Sequence, residues 1–331
     1  MVDAADAGSV LDVTGCSFSD SVVIAKALTL RGATIHVPAG RHGVEVTASD
    51  VTLDGLMVTG AQFASYNGSE MGIHVSGTLA SPLSRVRILN STVSMFGHGG
   101  LYLRHLNDFE AAGNTITDTV YAGIQALSAL NGRITANTVK RVGVGLPAGT
   151  NAYGIAISAQ ATADPMSADI LVDGNTVETV QTWEAMDTHG GQRITFSNNI
   201  VRFSRRGVMI TTGSNGQLAT DGRVIGNQFL SPVSIPAGDQ YAVVPVNSVN
   251  LTVTGNTITG WGNGRDLLRR YPNTNLVYSG NTVDSWEPDT LLAIAAILCL
   301  ILGAAWAYRA RVRPAGRKRS PGGGLPRRHD V

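Results

Sequence analysis

The residues best suited to chemistry lie close together, in the segment from Trp183 to Gly191. Asp187 and His189 are two positions apart, so on a β-strand their side chains project from the same face. A carboxylate beside an imidazole fixes the tautomer of the ring and raises its basicity, as general acid–base catalysis requires. The spacing therefore predicts that His189 exchanges protons with a substrate and that Asp187 orients it.

A set of similar segments places further reactive side chains around this pair. Six segments share the pattern Gly-Ile-x-Ile-x or a close variant and begin at Gly72, Gly100, Gly123, Gly154, Ala185 and Gly207. If they stack as neighbouring strands, one outward column contains His74, Tyr102, Gln125, Ala156, Asp187 and Met209. A second column contains Ser76, Arg104, Leu127, Ser158, His189 and Thr211. The flanking turns add Tyr66, His98, His105, Tyr153, Trp183, Glu184, Arg205 and Arg206.

The chemistry of this face suits a sugar polymer. Aromatic rings stack on pyranose rings, polar groups bond hydroxyls, and arginines form paired hydrogen bonds with uronate carboxylates. The predicted catalytic residues are Asp187, His189, Arg206, Tyr102 and Glu184. The predicted substrate-binding residues are Arg104, His74, Gln125, Tyr153, Trp183 and Arg205. In this hypothesis an arginine (Arg205 or Arg206) neutralises a uronate carboxylate, His189 takes a proton, and Tyr102 or Tyr153 returns it.

Other interpretations fit the same residues. Glu184 with Asp187 is a candidate hydrolytic pair, since glycosidases use two carboxylates about 5 to 10 Å apart. Alternatively, Asp187 and His189 bond turn amides around Gly190 and Gly191, and the chain is a non-catalytic glycan- or protein-binding module or an envelope scaffold. No cluster in the sequence has the spacing typical of a metal site, and no cofactor motif is present, so neither is predicted.

A repeated asparagine phrase indicates which elements position these residues. The phrase is a small or polar residue, an asparagine, a small polar residue and an apolar one, and its asparagines are Asn90, Asn114, Asn137, Asn175, Asn199, Asn227, Asn256 and Asn281. Repeats of 20 to 50 residues are typical of solenoids, and asparagines that recur at one corner can bond to one another. With short Val, Ile and Thr runs on both sides, the repeat predicts an all-β, right-handed parallel β-helix of about nine or ten coils.

The composition agrees with an all-β chain. It contains 39 Gly, 7 Phe and only 15% charged residues, whereas a helical bundle needs long Leu and Ala periods. Each coil contains two or three strands, and alternation within them predicts that Ile116, Ile124 and Ile134 point inward. The outward side chains then form a flat sheet several coils long.

The start of the chain resembles a known group of proteins. Residues 24–33 (IAKALTLRGA) and 51–60 (VTLDGLMVTG) resemble the opening of β-helix proteins of the pectate-lyase-like superfamily and the periplasmic NosD type. The resemblance covers roughly Ser9 to Val283 and implies a segment that caps the open end of the core. It implies no single activity, because this fold carries lyases, hydrolases, epimerases, tailspikes and non-catalytic proteins. A NosD-like role in metal-enzyme maturation is a more distant implication.

The segment around His189 also resembles the Asp-Pro-His-Asp motif of alginate C5-epimerases and lyase-like β-helices. In those enzymes the aspartate and histidine act on the uronate C5 proton, so the resemblance implies the same roles for Asp187 and His189. Here Thr188 replaces the proline and Gly190 replaces the second aspartate. The motif is therefore incomplete for a calcium cofactor.

The C-terminal segment has a different character. Residues 291–308 form an 18-residue run without a charge, and a helix of that length spans roughly 27 Å, close to the thickness of a bilayer's hydrocarbon core. A buried capping helix is the alternative. The predicted organisation is a β-helix ectodomain at 1–286 (with the cap and first coil in 1–30), a linker at 287–290, a transmembrane helix at 291–308 and a basic tail at 309–331.

The charge of the tail predicts the orientation of the chain. Eight basic residues and one acid follow the apolar run, so the positive-inside rule places the tail in the cytoplasm and the β-helix outside. Residues 1–8 lack the pattern of a signal peptide, so we expect that a signal precedes this start or that the numbering begins at the mature chain. A tail-anchored orientation is the remaining alternative.

The charge of the chain also limits the classes of partner that we expect it to bind. Before the tail, 17 basic and 23 acidic residues remain, and a mildly acidic domain does not indicate nucleic-acid binding. The expected partners are a polysaccharide or other glycan and the membrane, and a monomer is favoured.

Overall fold

Short alternating segments of Val, Ile, Leu and Thr form the regular structure. The computed structural model describes residues 2–61, 68, 70–147, 149–159, 161–230, 241–261 and 272–284, and Met1–Ser285 forms one compact unit. Within these ranges no helix is long and apolar enough to cross a membrane. The predicted linker at 287–290, transmembrane helix at 291–308 and tail at 309–331 lie outside the described residues.

The strands are stacked in three parallel sheets. Sheet A contains β1 (Val10–Asp12), β4 (Leu28–Arg31), β7 (Val51–Asp54), β10 (Leu83–Leu89), β13 (Leu106–Ala112), β16 (Leu130–Thr135), β19 (Ala168–Asp173), β22 (Thr195–Ser197), β25 (Arg223–Ile225), β28 (Thr252–Thr254) and β30 (Val277–Ser279). Sheet B contains β2 (Ser17–Phe18), β5 (Thr34–His36), β8 (Met57–Thr59), β11 (Thr92–Phe96), β14 (Thr115–Thr119), β17 (Thr138–Val142), β20 (Thr176–Val180), β23 (Ile200–Arg202), β26 (Gln228–Leu230), β29 (Thr257–Thr259) and β31 (Thr282–Asp284). Sheet C contains β3 (Val22–Ile24), β6 (Val44–Val46), β9 (Met71–Ser76), β12 (Gly99–Arg104), β15 (Ala122–Leu127), β18 (Tyr153–Ser158), β21 (Glu184–His189), β24 (Arg206–Thr211) and β27 (Tyr241–Pro245).

The core is a column of stacked aliphatic side chains, as the alternation predicts. Ile116, Ile124 and Ile134 are fully buried, one on each sheet. Each pairs with an aliphatic residue of the next coil; Ile124, for example, pairs with Ile155. Every third strand therefore returns to the same sheet one coil further on, which confirms the predicted parallel β-helix.

Seven asparagines, six of them buried and the last, Asn281, half-buried, form a ladder at the corner between sheets A and B. The asparagine ladder consists of Asn114, Asn137, Asn175, Asn199, Asn227, Asn256 and Asn281. In each step the side-chain Nδ2 donates to the Oδ1 of the next asparagine at 2.8–2.9 Å. The backbone N–H donates to the same oxygen. The predicted ladder is confirmed at these seven positions.

The prediction was wrong for Asn90 and for the number of coils. Thr92 pairs with Thr115, so Ser91, not Asn90, occupies the ladder position before Asn114. Asn90 is exposed, in a left-handed conformation with φ of 50°, and bonds Asp54. By the same register, Ala33 and Leu56 hold this position in earlier coils. Counting asparagines therefore misses coils, and sheets A and B each contain 11 strands among the described residues, not nine or ten.

The register predicted for sheet C is confirmed. Tyr102 pairs with His74 on one side and Gln125 on the other, and Ala156 pairs with Asp187. His189 pairs with Thr211. The reactive side chains thus lie in the two predicted columns on the outer face of this sheet.

The ladder predicts a large difference between buried and exposed asparagines. Asn137→Ala removes a donor to the Ala111 carbonyl and an acceptor for Asn114, and it leaves these buried groups unpaired. We expect the free energy of unfolding to fall by about 3 to 4 kcal/mol, as measured by urea denaturation. Asn107, which is exposed and accepts a bond from Asn131, is the control; its alanine variant should change stability by no more than about 0.5 kcal/mol. Equal losses would contradict a structural role for the ladder.

Candidate functional site

A bend in the strands of sheet C brings the acidic side chains together. From β9 to β27 the strand pairing skips the second residue of each strand; in β21 it passes from Glu184 to Met186. Most skipped positions are glycines, and at Gly154 a Cβ would lie 2.3 Å from the carbonyl oxygen of Ala185. Because of this skip, Glu184 and Asp187 face the same side although they are three residues apart, and each has a ligand atom within 4.8 Å of the other and of His189.

The predicted pair is formed. His189 Nε2 lies 2.9 Å from Asp187 Oδ2, and the Asp187 side chain is 3% exposed whereas that of His189 is 31% exposed. The second oxygen, Oδ1, is buried with no hydrogen-bond partner among the described residues. Asp187 thus lies behind the imidazole, which is the part of the pair that a substrate can reach.

The alternative in which this pair bonds turn amides does not match the contacts. Gly190 N–H donates to the carbonyl oxygen of Thr211, and Gly191 N–H donates to Oγ1 of Thr188. The turn is therefore satisfied without Asp187 or His189, and their hydrogen bond to each other is available for another purpose.

Glu184 and Arg206 form a second, deeper hydrogen-bonded pair. Arg206 Nη1 donates to Glu184 Oε1 at 2.7 Å, and the Glu184 side chain is fully buried. The guanidinium of Arg206 lies 4.3 Å from the ring centre of Trp183. Arg205 Nη1 donates to the carbonyl oxygen of Thr182. Both arginines predicted to neutralise a substrate thus bond groups of the protein itself.

Burial and neighbouring charges set the protonation of the cluster. Burial raises the pKa of Glu184 to about 8, the charge of Asp187 adds to this, and Arg206 opposes it. Burial also raises the pKa of Asp187, against the effect of His189. Burial lowers the pKa of His189, but the charge and hydrogen bond of Asp187 and the charge of Glu184 outweigh it and raise the pKa to about 8. At neutral pH we therefore assign an imidazolium–carboxylate pair beside a neutral Glu184.

The pair opens into a cleft of about 310 Å³. The lining residues are His98, Tyr102, Tyr121, Gln125, Leu127, Tyr153, Ala156, Ser158, Ala159, Asp187 and His189. Five of the predicted site residues are therefore together in one cleft: Tyr102, Gln125, Tyr153, Asp187 and His189. The other six are outside this lining: Glu184, Arg206, Trp183 and Arg205 in the buried cluster or beside it, and His74 and Arg104 toward earlier coils.

A row of aromatic rings follows the cleft from coil to coil. Tyr153 lies 6.2 Å from His189 and 5.4 Å from Tyr121 between ring centres. The row continues through His98, Tyr102 and His74 to His42, with ring centres 4.4–5.6 Å apart. Burial lowers the pKa of His74 and of His98 to about 4, so both are neutral at pH 7. The row therefore offers uncharged ring faces to a ligand.

Tyr121 and His42 were not predicted. Tyr121 occupies the turn position that His98 occupies one coil earlier, since Gly99 pairs with Ala122. His98 was already recognised as a residue of this face, so the same offset applied to the next coil would have found Tyr121. His42 lies in a turn before β6, where no repeat motif sets the register.

A comparison with protein families identifies the fold family. A family model for the right-handed β-helix region matches residues 6–179, more than half of the chain. The chain belongs to the right-handed β-helix family. No curated protein matches the sequence significantly.

Solved structures resemble this β-helix protein at low sequence identity. The enzymatically active domain of tailspike protein 2 from bacteriophage CBA120 has 12% identity and a TM-score of 0.58, over 86% of this chain and 42% of that chain. An alginate lyase from Paenibacillus sp. str. FPU-7 has 16% identity and a TM-score of 0.53, over 85% and 95%. A GH136 lacto-N-biosidase from Eubacterium ramulus has 11% identity and a TM-score of 0.50, over 84% of this chain and 56% of that chain. This chain spans less than half of the tailspike domain. These likenesses show the fold alone.

Glu184, Asp187 and His189 also have the donor types of a metal site. In the β-helix protein, however, Arg206 bonds Glu184, and Asp187 bonds His189. A cation there would compete with the guanidinium and with the proton of His189. The contacts of these donors thus suit proton transfer better than metal binding.

The geometry predicts the titration of His189. We expect a pKa of about 8 for its imidazole, measured by NMR of the ring protons. The folded-state value exceeds the ordinary value of about 6.5, so the pair favours folding fully below about pH 6.5, and this contribution is lost as the pH rises through about 8. Asp187→Asn should lower the pKa of His189 to about 6.5 or below, because burial remains while the charge is gone.

The control for this titration is another histidine–aspartate pair. His105 Nε2 lies 2.9 Å from Asp164 Oδ2, away from the cluster. Asp164→Asn should leave the pKa of His189 unchanged. A pKa of His189 that is insensitive to Asp187→Asn would contradict the assigned pair.

Proposed function

We propose that this β-helix protein is an enzyme that acts on a uronate-containing polysaccharide by acid–base catalysis, as a lyase or a C5-epimerase. The observation that carries the proposal is the exposure of His189. It is the accessible member of a cluster in which Glu184 and Asp187 are buried, and it faces a cleft walled by tyrosines. Such a cluster has the parts that a general base requires: an accessible imidazole and a carboxylate that orients it.

His189 is assigned as the base. Its Nε2 is held by Asp187, so the ring keeps a fixed orientation in the cleft. The C5 proton of a uronate is acidified by the adjacent carboxyl group, and a neutral imidazole that removes it becomes an imidazolium stabilised by the Asp187 carboxylate. Asp187 is buried and acts through His189, so we assign it as a positioning residue.

Tyr153 is assigned as the acid, in preference to Tyr102. Its ring centre lies 6.2 Å from that of His189, whereas the ring contacts of Tyr102 are with His74 and His98. Burial, with the charge of Asp187, raises the pKa of Tyr153, so its hydroxyl keeps a proton to donate. Donation to the leaving glycosidic oxygen gives elimination, and donation to the opposite face of C5 gives epimerisation.

The charge of the cluster supports an anionic substrate. At neutral pH the Arg206 guanidinium and the His189 imidazolium face one carboxylate, that of Asp187, because Glu184 holds a proton. The cluster is then net positive when an anionic substrate arrives, and it becomes neutral, not negative, once His189 has lost its proton to act as the base. Both arginines already bond groups of the protein. In this proposal Arg206 acts at a distance through its charge, while the Gln125 carboxamide at the cleft wall bonds the polar groups of the sugar.

Burial argues against the hydrolytic alternative. A glycosidase needs two carboxyl groups that both reach the glycosidic bond or its water. The side chain of Glu184 is fully buried, and that of Asp187 is 3% exposed. An acid pair formed by these two residues would not contact a glycan without a rearrangement of Trp183 and Arg206.

The test is a screen of the full chain against alginate, pectate and neutral polysaccharides, following chain cleavage, unsaturated uronate products and exchange of the C5 proton with solvent. His189→Ala should lower turnover by about 10² to 10⁴-fold, the usual contribution of a general base. Asp187→Asn should lower it too and change its pH profile. In the wild type, kcat/KM should rise as the pH approaches about 8, because the base must lose its proton.

The matched control is His36→Ala, which removes an exposed histidine from sheet B and should leave turnover unchanged. A rate that instead falls as the pH rises toward 8 would assign His189 as an acid. Binding without turnover, unaffected by His189→Ala, would refute the enzyme and leave a glycan-binding or scaffold protein.

We further propose that residues 291–308 cross a membrane, with the β-helix outside the cytoplasm and the basic tail inside. The support comes from the sequence: an apolar run of 18 residues followed by eight basic residues and one acid. A polysaccharide substrate fits that location, because the β-helix would then face the cell envelope.

The membrane proposal predicts both fractionation and topology. The full chain should stay with membranes after carbonate extraction, and a chain that ends at residue 286 should be released. Cys16 is exposed on the β-helix, so a membrane-impermeant maleimide should label it in intact cells, and Cys16→Ser should abolish the labelling. Labelling that occurs only after lysis would contradict the orientation.

A further inference from the structure

A second cavity lies beside the catalytic cleft. It has a volume of about 360 Å³ and is lined by Val120, Tyr121, Leu146, Thr150 and Asn151. Tyr121 lines the cleft as well, so this residue borders both cavities. We call this cavity the side pocket. Because both cavities border Tyr121, a glycan bound in the cleft would lie next to the side pocket.

The side pocket differs from the cleft in its chemistry. Its apolar wall consists of Val120, Leu146 and Tyr121, and its described lining residues carry no charged group. The polar residues, Thr150 and Asn151, are exposed at its rim. The pocket thus combines an apolar wall with amide and hydroxyl hydrogen-bond donors at its edge.

We propose that the side pocket binds an acyl group, such as an acetyl ester or amide, carried by the glycan in the cleft. This inference rests on the proposed function, since it describes a substituent of the same substrate. An acetyl group has a methyl that gains from burial against Val120 and Leu146 and a carbonyl oxygen that accepts a bond from Asn151 or Thr150. The volume also admits part of the sugar that bears the group.

An unsubstituted sugar fits the side pocket less well. A free hydroxyl directed at Val120 and Leu146 would lose its bonds to water and gain no partner on that wall. An anionic substituent would meet no cation among the described lining residues. The apolar wall therefore selects a neutral acyl substituent, while the positive cluster around His189 selects a uronate. Together they indicate a partly acylated acidic polymer.

The test compares O-acetylated alginate oligosaccharides with the same preparation after alkaline deacetylation, using the full chain. Saturation-transfer NMR should show transfer from the protein to the acetyl methyl protons. The acetylated oligosaccharides should bind about fourfold more tightly, the gain expected from burying one methyl group. Leu146→Ala should remove most of that preference.

Val144→Ala is the matched control, because Val144 is exposed in the same loop and does not line the side pocket. It should keep the preference. Thr150→Trp at the rim should also reduce the preference for acetylated oligosaccharides, because the larger side chain fills the cavity. This second variant keeps the test valid if Leu146→Ala fails to fold. Equal binding of acetylated and deacetylated oligosaccharides to the wild type would overturn the inference and leave the proposed function intact.

A further experiment distinguishes failure of the uronate proposal from failure of the acyl site. If neither oligosaccharide binds, the uronate proposal fails. Saturation-transfer NMR with N-acetylglucosamine and with glucose then tests the acyl site by itself. Saturation of the acetyl methyl of N-acetylglucosamine that is lost in Leu146→Ala would still support an acyl site. No saturation in that experiment would overturn the acyl site as well.

Discussion

The constraint on which the rest of the structure depends is the hydrogen bonding of each coil to the next. Parallel strands satisfy their backbone groups only on neighbouring coils, so coils of different length must still return to the same three sheets. The asparagine ladder fixes one corner of every coil from Asn114 to Asn281 by bonds of 2.8–2.9 Å. Insertions are consequently accommodated in turns, and the columns of sheet C stay in register across them. Tyr102 and His189 can share a cleft because this register holds.

The same constraint shapes the electrostatics of the site. Outward residues of a solenoid sheet normally face water, yet Glu184 and most of Asp187 are buried, and Trp183 packs against the guanidinium that bonds Glu184. Buried carboxyl groups, ionised or not, need hydrogen-bond partners. Glu184 finds one in Arg206, its direct neighbour on the next strand, and Asp187 finds one in His189. His189 is thus the exposed member of a cluster whose other members are buried. The nearby acidic groups raise the pKa of its imidazole.

The sequence was sufficient to predict the periodic features of the fold. It was insufficient to predict how deeply individual side chains are buried. The two-residue spacing of Asp187 and His189, and the columns around them, follow from strand alternation, which holds over the whole solenoid. Asn90 was misplaced because Ser91 takes the ladder position and local patterns do not distinguish neighbours. The early coils were undercounted because Leu56 replaces asparagine there. The burial of Glu184 and the contacts of Arg206 were not predictable, since both depend on how Trp183 packs across coils.

The position of the cleft follows from where the repeat is interrupted. A regular β-helix offers a flat sheet, which cannot exclude water from a substrate. The coil that contains β17, β18 and β19 is lengthened on both sides of β18, and these two loops supply Leu146 to the side pocket and Ala159 to the cleft. The second loop is held in place by the buried contact between Asp164 and His105, two coils away. The loops that enclose the cleft flank β18, and β18 pairs with β21, the strand that carries His189. The reactive side chain therefore lies beside the point where the repeat is interrupted.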